Sequence, residues 1–150
     1  MRRVVAAALT MVLLSACQST TTELTERQKA EIEESVKRAA SEYIDLWFAQ
    51  DDMEAYMSRH SDWAGTPWGF GSLNALRSYT EQYWERWDFE VGEAGEMEVM
   101  VLGPDAAAVN WTTTYVRIDT AGDRQERTVS FAHVWVREDG QWQLLLAKQA

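Results

Sequence analysis

Hydrophobic residues change their spacing once along this chain, near residue 88, and each spacing predicts a different kind of element. Before that point they recur every three or four residues. Ile32, Val36, Ala40, Tyr43 and Trp47 fall in one stripe, Ile44 and Phe48 widen it, and Asp45 projects from the opposite face. This spacing predicts a long helix over about residues 26–50. Thr25-Glu-Arg-Gln28 has the form of a capping box at its start. Asp51 is expected to cap a second, shorter helix over about residues 52–60, with Glu54 at its third position. The stretch HSDWAGTPWGFG, residues 60–71, follows as a loop. Ser72 then caps a third helix. Leu73, Leu76, Tyr83 and Trp87 line one face of it, with Tyr79 or Thr80 and Trp84 beside them, and Arg77, Glu81 and Glu85 form an exposed charge ladder.

After residue 88 the period is two. Strands are predicted over about residues 96–102, 107–118, 127–137 and 141–148, with turns at Gly103-Pro104-Asp105, at residues 120–123 and at Asp139-Gly140. The Asp-Gly pair is the strongest of these signals, because a two-residue hairpin needs positive φ at both positions. Helices followed by an antiparallel meander predict an α+β domain with three helices packed on a strongly curved sheet. Counting back from Asp139-Gly140 pairs Arg137 with Trp142, Trp135 with Leu144 and His133 with Leu146. Phe131, His133, Trp135, Trp142, Leu144 and Leu146 would then share the bulkier, inward face. Whether Trp111 and Tyr115 join them depends on the turn at residues 120–123 and stays open.

The first residues, MRRVVAAALTMVLLSAC, combine two arginines, an uncharged apolar run and small residues before a cysteine. The run is shorter than the roughly 20 residues a spanning helix needs, so residues 1–16 read as a signal peptide. LSAC resembles the bacterial lipoprotein box. That resemblance implies lipidation at Cys17, a polar tether over residues 17–24, a domain over residues 25–150 and a membrane anchor without a spanning helix. Gln18 in place of aspartate favours the periplasmic side of the outer membrane. Cys17 is the sole cysteine, so no disulfide is available.

Loss of Arg2 and Arg3, with no acid, takes the net charge from −10 to −12. Such a surface repels phosphate backbones and excludes nucleic acid as a partner. His60 and His133 lie on distant elements without spaced partners, so neither a metal site nor a cofactor is expected.

The phrases AQDDMEAY, VLGPDAAAVNW and above all FAHVWVREDGQW resemble the SnoaL-like group of the nuclear-transport-factor-2-like superfamily, over about residues 26–148. The resemblance implies a cystatin-like cone, a bent sheet around the first helix with a pocket at its wide end. It also implies a sheet face that pairs into homodimers. It does not fix one activity, since members include isomerases, cyclases and assembly modules. Catalytic members hold a carboxylate out of water inside the cone. Here Asp62 matches that position if gaps are allowed in the loop, with Tyr43 or His133 assisting. Loop capping is the alternative for Asp62. His133 is a core residue, a hydrogen-bonding handle for a ligand, or a general acid or base.

Tyr43, Trp47, Trp63, Trp68, His133 and Trp135 are the candidate ligand contacts; Trp63 and Trp68 fit neither helical nor strand spacing. Because the last three strands carry no acid away from their ends, the leading expectation is a non-catalytic domain that binds a small apolar or amphipathic molecule or a protein partner. An isomerase or cyclase and a homodimeric module are the alternatives.

Overall fold

The computed structural model describes residues 23–62 and 69–149, and of residues 91–94 the backbone alone. Three helices, α1 (Glu26–Ala49), α2 (Met53–Met57) and α3 (Leu73–Arg86), precede five strands. These are β1 (Trp87–Ala94), β2 (Glu98–Gly103), β3 (Ala106–Asp119), β4 (Arg124–Glu138) and β5 (Gln141–Gln149). Every strand pairing is antiparallel. The sheet runs β1-β3-β4-β5, and β2 also pairs with β3. β1 lies against residues 113–119 of β3 and β2 against residues 106–110, so the two share one edge, end to end.

The capping box forms as its sequence predicts. The Gln28 amide donates to Thr25 Oγ1 at 3.3 Å, and the Thr25 amide donates to Gln28 Oε1 at 2.9 Å. Ile32, Val36, Ala40, Tyr43 and Ile44 are buried, and Asp45 is exposed. α1 packs that stripe onto β2, β3 and β5, and the Trp142 indole donates to Ser35 Oγ at 2.9 Å.

Asp52, not Asp51, caps α2: its carboxylate accepts from the Ala55 amide at 2.8 Å. α2 is also shorter than expected. After Met57 the backbone leaves the helix and runs beside β5, where Ser61 N donates to Leu144 O and Leu144 N to Arg59 O. Trp87 belongs to β1 rather than to α3, with Arg117 stacked 4.1 Å over its ring. Arg77 is no free rung of a ladder, since it grips Glu54 of α2 through both guanidinium nitrogens.

Gly95 sits where the chain passes from β1 to β2. Its amide donates to Thr112 O at 2.8 Å, and a Cβ there would lie 2.6 Å from that oxygen. Any larger residue would push the β1–β2 edge off β3.

Asp139 and Gly140 both have positive φ, 49° and 79°, as the hairpin demands. Trp135 pairs with Leu144 as expected. The register then slips: Val134 opposes Leu146 and His133 opposes Ala147, which leaves Leu145 as the extra residue of a bulge. Ala147 therefore turns inward, and Leu146, expected inside, is 53% exposed. Further slips occur in β1 after Val91 and in β2 after Val101. Together these irregularities bend the sheet over α1.

Candidate functional site

The open question of β3 resolves inward. Asp119 Oδ1 accepts from the Ala121 and Asp123 amides, which fixes the β3–β4 turn and sets Val109 opposite His133 and Trp111 opposite Phe131. Ala107, Val109, Trp111, Thr113 and Tyr115 then alternate inward, all buried. The Trp111 and His133 rings meet edge to face at 4.4 Å between centroids.

Between this face and the helices lies a cavity of about 210 Å³. α1 contributes Tyr43, Ile44, Trp47 and Phe48, and α2 contributes Tyr56. Leu76, Tyr79, Thr80 and Tyr83 come from α3. The sheet adds Trp111, Thr113, Tyr115, Phe131 and His133, with Gln149 at the end of β5 and Phe70 before α3. The walls are chiefly aromatic, and no Asp, Glu, Lys or Arg is among the described lining residues.

The polar groups among the described lining residues are hydroxyls, an imidazole and a carboxamide. The Tyr43 and Tyr56 hydroxyls are bonded to each other at 2.8 Å, and burial, with Tyr43 alongside, pushes the Tyr56 phenol well above its ordinary range. His133 is 1% exposed. Burial first, and His60 second, push its imidazole down to about 3, so it is neutral at physiological pH. His60 packs edge-on against Tyr43 and Tyr56, with ring centroids 5.5 and 5.0 Å away. Burial brings it to about 4, partly offset by the Met57 and Tyr56 backbone. Its Nδ1 lies 3.3 Å from the Met57 carbonyl, which can only accept, so Nδ1 carries the proton and Nε2 the lone pair.

Of the residues singled out from sequence, Tyr43, Trp47 and His133 line the cavity. Trp135 stands one layer behind: it is fully buried and 5.8 Å from the Tyr43 ring. Asp62 is exposed and is not part of the described cavity wall. A base of the isomerase kind must be kept out of water inside the cone, and Asp62 is not so placed. Trp63, Trp68 and Cys17 lie outside the described residues. Tyr56 and Thr113 are not among the residues the sequence singles out, and Thr80 appears there only beside the apolar face of α3. α2 is too short to show a period, but Thr80 lies four residues after Leu76, and Thr113 alternates with Trp111 and Tyr115, so spacing carried a signal for both.

Helices on one face of a bent antiparallel sheet, enclosing an aromatic hollow, define a nuclear-transport-factor-2-like cone of the cystatin-like type. Residues 49–149 match the model of the calcium/calmodulin dependent protein kinase II association domain, and the chain belongs to that family. Similar solved structures include a hexachlorocyclohexane dehydrochlorinase from Novosphingobium barchaimii, at 14% identity and a TM-score of 0.69 over 84% of this chain and 90% of that one. The association domain of C. elegans calcium/calmodulin dependent protein kinase II has 17% identity and a TM-score of 0.58 over 84% and 99%. A ketosteroid isomerase-like protein from Erwinia carotovora has 17% identity and a TM-score of 0.69 over 77% and 92%. None of the curated proteins matches the chain in sequence.

Proposed function

We propose that this domain is a container for a small, largely apolar molecule, carried at a bacterial envelope surface by a lipid on Cys17. The observation behind the ligand is the cavity itself: about 210 Å³, chiefly aromatic, with no charged group among its described lining residues. An engineered apolar cavity of about 150 Å³ already takes up benzene, so this one has room for a substituted single ring or a fused pair. That no carboxylate is found among the described lining residues favours binding over isomerase chemistry. Thermal-shift and native mass-spectrometric screening against ring compounds and extracted lipids tests the role. A ligand at 100 times its dissociation constant should stabilise the fold by about 2.7 kcal/mol. No shift with any ring compound removes the proposal.

A second role, association into homodimers, is favoured by the outer face of the sheet. Met100, Ala108, Val134 and Leu146 are in register across four strands, and Met100, Leu102 and Leu146 are 63%, 54% and 53% exposed. The association-domain family and the C. elegans relative give this role further support. Sedimentation at tens of micromolar is expected to show a dimer that Met100→Glu with Leu146→Glu converts to monomer. A wild-type monomer at that concentration excludes it.

A further inference from the structure

Two residues of the cavity wall carry hydroxyls with no visible structural purpose. Thr80, on α3, is 0% exposed and Thr113, on β3, is 2% exposed; both line the cavity. Neither Oγ1 has a hydrogen-bond partner among the described residues. Elsewhere the same side chains find partners readily. On the outer face of the sheet Thr112 pairs with Ser130 and Thr114 with Thr128, each at 2.8 Å. A threonine within a helix can also bond the carbonyl one turn back, and Thr80 makes no such bond. A buried hydroxyl without a partner is costly, whereas valine fills the same volume without that cost.

The two hydroxyls stand on different elements of a chiefly aromatic wall, α3 and the sheet. A hydroxyl both donates and accepts, so each matches a hydroxyl or carbonyl oxygen of a ligand. An ion is a poor fit, because no described lining group could balance a desolvated charge.

We infer, resting on the ligand-binding role above, that the cavity takes an uncharged one- or two-ring compound bearing hydroxyl or carbonyl oxygen at two positions, one held by Thr80 and the other by Thr113. The rings fill the aromatic space; the oxygens select the compound and its orientation.

Four probes and two variants test this by titration calorimetry on the full chain: naphthalene, two naphthalenediols with different oxygen spacings, and 2-naphthoate, against wild type, Thr80→Val and Thr113→Val. One of the diols should bind wild type more tightly than naphthalene. Each valine should weaken that diol about tenfold, the loss of one hydrogen bond to a ligand. Naphthalene should bind all three proteins alike, and 2-naphthoate at least a hundredfold more weakly than the diol. The valine variants should melt no lower than wild type when empty, which shows that they fold. Diol affinity unchanged in both variants overturns the assignment of Thr80 and Thr113, and tight binding of the naphthoate overturns the exclusion of charge. If naphthalene binds and both diols bind no better, this inference falls and the container role stands. If no probe binds at all, the container role falls with it.

Discussion

Trp135→Ala is expected to cost about 3–5 kcal/mol of folding free energy, the range for removing a fully buried large aromatic. Trp135 has no exposed surface. It lies opposite Ala107 on β3 and Leu144 on β5, and its ring meets Tyr43 of α1 at 5.8 Å. From β4 it therefore meets both neighbouring strands and the helix they enclose. Alanine would leave a hole that this many separate elements cannot collapse to fill. Against a total stability of about 5–15 kcal/mol, usual for a domain, such a loss brings the fold close to its limit. Trp135→Phe should cost much less, because it keeps most of the ring and also deletes an indole N–H that has no partner among the described residues. Urea denaturation gives both values from the midpoint at constant slope. A loss under about 1 kcal/mol for the alanine variant would mean that Trp135 is not packed as described.

Acidification is expected to have an effect of similar size. Burial holds His60 at about 4 and His133 at about 3 in the folded chain, against about 6.5 when unfolded. Between those values the unfolded state binds protons that the folded state refuses, so stability falls as pH falls. The stability is fully present above pH 6.5. Below it each imidazole removes about 1.4 kcal/mol per pH unit until the folded value is reached, so near pH 4 the loss from the two together approaches the lower end of a domain's usual stability. The paired carboxylates also favour the fold at higher pH, since Arg77 holds Glu54 below the usual carboxylate range and Arg124 holds Glu90 there. They titrate lower, and the interval from pH 6.5 to 5 isolates the histidines. Denaturation midpoints at pH 7, 6 and 5 should drop steeply for wild type, about half as steeply for His133→Phe, and hardly at all when His60→Phe is added. An unchanged slope in the double variant would place the acid sensitivity elsewhere.

Much of the architecture could be read from the chain because its signals are local. The capping box at Thr25 and the stripe from Ile32 to Trp47 specify α1 without help from the rest of the fold. Positive φ at Asp139 and Gly140 fixes the last hairpin from two residues alone. β1 is different: its pairing with residues 113–119 is a long-range matter, and residues 88–95 show only a general strand character. Leu146 was misplaced because period-two counting assumes an unbroken ladder, and a bulge inverts every face beyond it.

The same physics divides the site. Tyr43, Trp47 and His133 stand in regular stripes, so their inward aim was legible, and the aromatic character of the interior with them. Thr80 and Thr113 carry the proposed selection of one guest over another. Their significance lies in the partners they lack, which only three-dimensional neighbours reveal. Asp62 shows the opposite case, an attractive residue type whose place in the fold leaves it in water.

The extra residue Leu145 also determines how the tail of β5 presents itself. With it, Ala147 faces inward, Gln149 reaches the rim of the cavity and Lys148 points away. A β5 that ran through that position as an unbroken ladder would set Lys148 opposite Phe131, and an ammonium group would stand where the Gln149 carboxamide now lines the cavity. The charge presented at that end of the cavity thus depends on the bulge at Leu145 as much as on what the strand is made of.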